Sequence, residues 1–448
     1  MGGFHTFALS FSIISILTGA VTLYGHGLGY GGPRVMSLGW LLVSAMTLCV
    51  ALSMAELASA LPTAGALYHW SSILGGKGWG WLTAWMNLLG QLAITASIDV
   101  GLAEFLAPLL GLAPSRATVL LLAALVLASH GLLNHVGTRV VGALNALSAW
   151  YHLAGVALVV LAFAALAPMQ PASFLLQGVS HQPVPSYAYG FAVGLLQAQW
   201  TFTGYDASAH VSEETRDARR NAPWGIVLSV AVSAVAGALL LAAVTLSIQD
   251  LRLATSAPNA FIYVSTHALG ARLGSMVVWV CVGAMWFCGL GSVTSCSRML
   301  WAFARDGGVP WSPSLAAVSD TFKTPHNAVW TSVVGAFLVA LWSGAYSVMT
   351  ALSTLALYVS YALPVALAVR ARRRGSHPPF GPWNLGRWRG VVNALALGWV
   401  VVVSVLFVLP PNLRTGYTFL GALGALGAAW ALRERRRFRG PPGLVESG

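Results

Sequence analysis

Charged residues are scarce in this sequence, and acidic residues are the scarcest. The chain of 448 residues has 12 Asp and Glu against 24 Lys and Arg, and charged residues make up only 8% of it. All four cysteines lie in apolar stretches: Cys49, Cys281, Cys288 and Cys296. We therefore expect buried free thiols and no structural disulfide. Histidine and cysteine occur singly, without metal-ligand or nucleophile–His–acid spacing, which argues against an enzyme, a metal site or a cofactor.

Apolar residues dominate what remains. Hydrophobic residues form 57% of the sequence, and the mean hydropathy is +0.74. Apolar runs of about 18 or more residues recur, each long enough to cross a ~30 Å hydrocarbon core as a helix. The weaker alternating pattern of a membrane barrel is missing. The sequence therefore predicts an all-α polytopic membrane protein.

Turn residues and charged loops separate the apolar runs. They delimit twelve expected spans, at residues 7–29, 37–61, 80–108, 117–134, 139–167, 186–210, 222–248, 273–303, 326–345, 347–370, 389–409 and 413–432. These spans leave almost no chain for extramembrane domains. We expect one transmembrane domain over residues 1–433 and a short basic cytoplasmic tail, residues 434–448, without fixed structure.

The net charge of +12 follows the membrane topology. With both termini in the cytoplasm, nineteen Lys and Arg lie at inner ends and loops and five outside: Arg34, Arg116, Arg252, Arg272 and Arg414. This asymmetry is the positive-inside rule. It favours the lipid bilayer of the cell membrane over nucleic acid as the partner of the basic residues.

Two Thr-Gly pairs interrupt apolar spans at corresponding positions. Thr18-Gly19 lies in the first span and Thr203-Gly204 in the sixth, five spans later. Such paired helix interruptions are typical of the substrate site of inverted-repeat transporters. A broken helix leaves amide and carbonyl groups unpaired, and these are tolerated in a membrane only where they line a cavity. Amides suit a carboxylate and carbonyls suit an ammonium group or a cation.

A few ionisable residues fall within the spans. Asp206 follows the second predicted interruption, where a carboxylate is costly unless it is paired, protonated or in contact with water. Glu56 lies near the inner end of its span, where pairing with inner arginines would form a gate. Asp99 is expected in water toward the outer end of the third span. His152 is a candidate for proton coupling, whereas His130 is expected to be a packing residue.

Four stretches together resemble a known family: SFSIISILTGAVTLYGHGLGYGGP, ALSMAELASALPTAGALYHW, WTFTGYDASAHVSEETRDARRNAPWGI and SCSRMLWAFARDGGVP. The chain resembles the amino acid–polyamine–organocation transporters, and among them the amino acid/choline subgroup with its GABA and choline permeases. The resemblance implies a leucine-transporter-like fold, with inverted five-helix repeats over residues 7–167 and 186–370 and two further helices over 389–432. It also implies alternating access around a site between the first and sixth helices.

The resemblance also implies roles for particular residues. Thr18-Gly19-Ala20 stand where the family has Gly-Ser-Gly, and Trp200 stands at an aromatic gate position. Several proton-coupled relatives have a lysine on the fifth helix, and its absence here leaves the coupling ion, proton or sodium, open. Members of the family have a charged cytoplasmic segment before the first helix, whereas this sequence begins almost at the first span. We therefore expect a start upstream of Met1.

The sequence therefore predicts a secondary transporter of an amino acid or a related small amine such as GABA. Choline or a polyamine is the alternative substrate, a nutrient sensor without transport is the alternative class, and the oligomeric state is open. The substrate-binding candidates are Thr18, Gly19, Ala20, Gln91, Trp200, Thr201, Phe202, Thr203, Gly204 and Ser292. The candidates for gating or coupling are Glu56, His152, Tyr205 and Asp206.

Overall fold

The computed structural model describes residues 2–63, 65–343 and 346–441, apart from the side chain of Thr138. These residues form helices, turns and loops and no strand. The helices of the first half are α1 (Gly3–Ile14), α2 (Ile16–Thr22), α3 (Tyr24–Arg34), α4 (Trp40–Ala60), α5 (Leu67–Gly75), α6 (Lys77–Leu109), α7 (Arg116–Val136), α8 (Thr138–Leu166), α9 (Tyr187–Gly194), α10 (Leu196–Thr201) and α11 (Ala207–His210).

The second half contains the longest helix, α14, with 46 residues. The helices of this half are α12 (Ala218–Leu246), α13 (Leu251–Ser256), α14 (Ala260–Arg305), α15 (Ser312–Leu315), α16 (His326–Ser343), α17 (Tyr346–Arg373), α18 (Arg389–Leu406), α19 (Leu413–Ala429) and α20 (Arg435–Arg437). Short π-helical turns at Val35–Gly39 and Trp430–Glu434 join neighbouring helices, and 3₁₀ turns occur at Ala172–Leu176, Ser212–Glu214 and Gly386–Trp388.

Each of the twelve predicted spans coincides with a helical segment. Within the described residues, ten helical segments are long and apolar enough to cross a membrane. The sixth predicted span falls outside these ten because it is divided into α9, α10 and α11. The ninth is α16, which has 18 residues, begins with the polar pair His326 and Asn327, and adjoins residues 344–345, which are not described.

The outer surface of the helices suits lipid. Leu121, Leu161, Val235 and Val401 lie on four different helices and are 62–66% exposed. An apolar surface of this kind is stable against hydrocarbon, and helices satisfy their own backbone groups there. The chain is therefore an all-α polytopic membrane protein, as predicted. The boundaries of the two five-helix repeats stay a prediction.

The interrupted helices lie at the centre of the bundle. The pair α1 and α2 contacts α10 and α11, and α8, α12, α14 and α17 pack around these four short helices. Helix α6 in turn packs against α14 and α17. Large side chains such as Trp40, Phe105 and Phe163 fill the space between helices and are fully buried. The interruptions are therefore enclosed by protein and not by lipid.

The structure adds two features that the sequence did not predict. Helix α5 lies in the connection between α4 and α6 and packs on α6 and α17. The tail after Arg433 was predicted to lack structure, and this is wrong for its first residues. Phe438 is 1% exposed, with its ring against Phe303 and Tyr68 at centroid distances of 5.8 and 6.3 Å. Residues 442–448 of that tail lie outside the described residues.

Candidate functional site

The first helix interruption lies at Ser15, between α1 and α2. Ser15 has φ 34° and ψ 88°, a left-handed conformation that residues with a Cβ seldom adopt. The sequence predicted an interruption at Thr18-Gly19-Ala20, and this position is wrong because all three are helical residues of α2. The amides of Thr18 and Gly19 both donate to the carbonyl oxygen of Ser15, at 2.8 and 2.9 Å.

Gly19 serves close packing and not unwinding. A Cβ at this position would lie 2.5 Å from Thr201 Oγ1 and 2.7 Å from Thr201 Cα. Glycine therefore permits an approach of α2 to α10 that no other residue allows. Gln197 of α10 strengthens this contact, since its Nε2 donates to the carbonyl oxygen of Ala20 at 3.0 Å. Residues 18–20 lie against the sixth span, and their role in binding stays a prediction.

Ser15 also joins a histidine to the first interruption. Its hydroxyl oxygen lies 2.6 Å from Thr18 Oγ1 and 2.6 Å from His152 Nε2. His152 Nδ1 lies 2.8 Å from the carbonyl oxygen of Ser148, which can only accept. In the neutral ring Nδ1 therefore carries the proton, and Nε2 accepts from the Ser15 hydroxyl. His152 lies at the interruption, and its coupling role stays a prediction.

The second interruption covers residues 202–206, between α10 and α11, and contains the Thr203-Gly204 pair. Gly204 has φ 86°, a conformation that costs glycine little and other residues more. Two tyrosines of α17 partner the backbone groups that the interruption frees. Tyr358 Oη donates to the carbonyl oxygen of Phe202 at 2.6 Å, and the amide of Gly204 donates to Tyr361 Oη at 3.2 Å. The sequence-based candidates did not include either tyrosine.

Asp206, directly before α11, is fully buried and well partnered. Tyr361 Oη donates to Oδ1 at 2.8 Å. Asn87 Nδ2 donates to Oδ2 at 2.9 Å and Gln91 Nε2 at 3.4 Å, while His210 Nε2 lies 3.2 Å from the same oxygen. Several donors around one carboxylate offset the cost of burying its charge. Helices α6 and α17 therefore hold this end of the interruption, and a coupling role for Asp206 stays a prediction.

Helices α6 and α14 supply further polar groups beside this carboxylate. Gln91 Nε2 also lies 3.2 Å from Ser295 Oγ, and Ser292 Oγ lies 2.7 Å from Thr95 Oγ1. Asn87, Gln91 and Thr95 are spaced by four residues, so they share one face of α6. That spacing was a sequence signal for a polar helix face, and only Gln91 was selected from it.

The aromatic candidates beside the second interruption are buried in protein. Trp200 is 2% exposed and packs edge-on against Tyr346 at a centroid distance of 6.2 Å. Phe202 lies 4.7 Å from the ring of Trp40, and Tyr205 packs against a tyrosine of α17. Trp200 Nε1 and Tyr205 Oη have no hydrogen-bond partner in the described part of the chain.

The predicted binding residues are all buried, so the structure is closed around them. Toward the predicted cytoplasmic side a cavity of about 170 Å³ lies below α11, and Arg298 at its wall pairs with Glu214 at 3.2 Å. On the opposite side a cavity of about 250 Å³ is lined by Glu104 and Tyr346, among others.

Glu56 forms an ion-pair network near the carboxyl end of α4, which is predicted to be the cytoplasmic end. Its carboxylate lies 2.7 Å from Arg389 Nε and 3.2 Å from Arg372 Nη1, and it accepts the amide of Leu385 at 3.1 Å. This is the pairing with inner arginines that the sequence suggested. The network joins α4, α17 and α18, and its role as a gate stays a prediction. Over the described residues, no group of three or more His, Cys, Asp or Glu could hold a metal ion.

Comparison with known proteins agrees with this architecture. The family model described as amino acid permease matches residues 2–429. Amino-acid permease BAT1 of Arabidopsis thaliana is 36% identical over 98% of this chain and 92% of its own length. Its homolog in Oryza sativa subsp. japonica is 36% identical over 97% and 91%. The GABA-specific permease of Saccharomyces cerevisiae is 26% identical over 92% and 76%. The chain belongs to the amino acid permease family.

Proposed function

We propose that this chain is a secondary active transporter that holds an amino acid or a related small amine at the two interruptions and moves it by alternating access. Membership of a permease family makes it a transporter and not an enzyme. The main support for a substrate site is the contact between two interrupted helices at the buried centre of the bundle. Non-helical backbone at membrane depth is tolerated where it lines a cavity for a solute.

The two interruptions offer groups of opposite polarity. Because α2 begins at Ile16, the amides of Ile16 and Leu17 have no partner within their own helix by position. They lie next to the Ser15 and Thr18 hydroxyls, and together these donors suit a substrate carboxylate. The carbonyl groups at the end of α10 and the face of Trp200 suit an ammonium group. Gly19, Ala20 and the residues of the second interruption form the surrounding wall.

Coupling and gating are assigned to groups in contact with the interruptions. His152 contacts the first, Asp206 closes the second, and the ring of Tyr205 packs on Tyr361 of α17 while its carbonyl oxygen accepts from Ser10 of α1. The Glu56 network would open and close the inner end. Neither a proton nor sodium is favoured by these contacts. We place the protein in the cell membrane with both termini in the cytoplasm, in keeping with the distribution of basic residues.

The proposal is tested by exchange in proteoliposomes that contain the purified full chain. The panel holds labelled α-amino acids, GABA, choline and putrescine. We expect exchange of at least one compound that carries both an amine and a carboxylate, above the level of protein-free liposomes. Exchange of choline or putrescine alone would contradict the carboxylate site and support the alternative substrate class. Absence of exchange with every panel member would overturn the proposed function.

A further inference from the structure

A buried acid–histidine pair lies outside the site described above. Asp99 of α6 was expected in water near the outer surface, and this is wrong. Asp99 and His130 of α7 have side chains that are 0% exposed, and His130 Nδ1 lies 3.3 Å from Asp99 Oδ2. Ionisable side chains at membrane depth are costly and mark ion or proton pathways more often than they serve packing. The pair therefore needs a functional explanation.

The pair can take up one further proton. Asp99 Oδ1 and His130 Nε2 have no hydrogen-bond partner within the part of the chain that the structure describes. With an ionised carboxylate and a neutral imidazole the pair has a net charge of −1, and one added proton makes it neutral. A net charge is penalised far more in a protein interior than in water. Access of water to this pair therefore changes how readily it holds that proton.

The other titratable groups around the pair are neutral or lie toward helix ends. Helix α14 presents the Cys288 thiol within electrostatic range of Asp99, and α17 presents the Tyr346 hydroxyl against α6. Glu104 is further along α6 and lines the outer cavity. Helix α16 has His326 as its first residue, and α2 has no titratable side chain. Among the described residues, the side chains of Asp99 and His130 have hydrogen bonds only to each other.

Helix α14 connects the pair to the first interruption. A Cβ at Gly289 would meet Asp99 Oδ1 and would lie 2.5 Å from His130 Cε1. The next residue back, Cys288, donates its thiol proton to the carbonyl oxygen of Ile13 at 3.2 Å. Ile13 is in the last turn of α1 before the interruption. A shift of α14 at Gly289 and Cys288 would move both the Asp99–His130 pair and the end of α1.

We propose that Asp99 and His130 form the proton-binding site that drives transport. One proton binds to the pair when the outer side is open, and it is released when the opposite side admits water. Contact through Gly289 and Cys288 ties this protonation to the position of α1. The inference rests on the proposed transport function and names its coupling ion. His130 is therefore assigned a role beyond packing.

The test separates exchange from accumulation in proteoliposomes. The probe is labelled GABA, or the panel amino acid with the largest exchange. Asp99→Asn and His130→Gln are compared with the parent chain, and Glu104→Gln is the matched control on the same helix. Accumulation is driven by a pH gradient of about two units, alkaline inside, which can support at most about 100-fold accumulation for one proton per neutral substrate. Exchange at equal pH on both sides reports folding and substrate binding.

We expect the parent chain and Glu104→Gln to accumulate the probe under the gradient. Asp99→Asn and His130→Gln should retain exchange and lose accumulation. Gradient-driven accumulation by either variant would overturn the proton site. A parent chain that exchanges the probe but ignores the gradient would overturn proton coupling while leaving the transport function intact. If Asp99→Asn misfolds and does not exchange the probe, His130→Gln tests the proton site alone. Exchange without accumulation by His130→Gln supports the site, and exchange with accumulation overturns it.

Discussion

Replacing Gly204 with alanine is expected to abolish transport. Gly204 has φ 86°, so a Cβ there costs about 1–2 kcal/mol of backbone strain. The added methyl group would also collide with the side chain of Ile13, whose Cβ lies 3.1 Å from the new atom. Ile13 belongs to the last turn of α1. The substitution therefore forces the two interruptions apart at the proposed substrate site.

Gly270→Ala is the matched control. Gly270 has φ 78° within α14, and a Cβ there meets no atom within 4 Å. The two variants share the backbone strain, and only Gly204→Ala adds the collision. Exchange in proteoliposomes should fall to background for Gly204→Ala and stay near the parent level for Gly270→Ala. Full exchange by Gly204→Ala would contradict a substrate site at the interruptions.

Tyr361→Phe is expected to lower the transport rate about tenfold or more. A tenfold change corresponds to a free-energy difference of ~1.4 kcal/mol. The hydroxyl of Tyr361 accepts the amide of Gly204 and donates to Asp206 Oδ1. Its removal leaves a buried amide and a buried carboxylate oxygen with fewer partners, at about 1–3 kcal/mol each. The ring remains, so the packing is kept. The initial rate of exchange checks this expectation.

Tyr24→Phe controls for the loss of a buried tyrosine hydroxyl. Tyr24 Oη lies 2.9 Å from Thr245 Oγ1, in a fully buried contact away from both interruptions. We expect a lower unfolding temperature in both variants and a lower exchange rate only in Tyr361→Phe. Equal losses of exchange in the two variants would show that the hydroxyl of Tyr361 acts through stability and has no particular role at the second interruption.

The membrane spans could be predicted because their signal is local. An apolar run of sufficient length must form a helix in lipid, and each predicted span coincides with a helical segment. The second interruption was also visible, since Gly204 needs a positive φ that glycine adopts readily. The first interruption was predicted at the wrong residues because glycine also occurs in helices where two helices pack closely. Gly19 permits close packing on Thr201, and the residue that leaves the helix is Ser15.

Contacts between distant segments could not be predicted from the sequence. Tyr358 and Tyr361 lie 156 and 157 residues from the backbone groups they partner, and no local pattern connects them. The depth of Asp99 in the membrane was estimated by counting along one helix, but its burial depends on α7 and α14. For Asp206 the sequence identified an acid that needs a partner, while the partners come from α6 and α17.

The most direct test of the central claim is ligand-induced stabilisation of the purified chain in detergent, with Gly204→Ala and Gly270→Ala measured in parallel. A ligand at 100 times its dissociation constant stabilises the folded state by about 2.7 kcal/mol. An amino acid that exchanges in proteoliposomes should raise the unfolding temperature of the parent chain and of Gly270→Ala, and leave that of Gly204→Ala unchanged. An equal rise in all three proteins would place the substrate site away from the two interruptions.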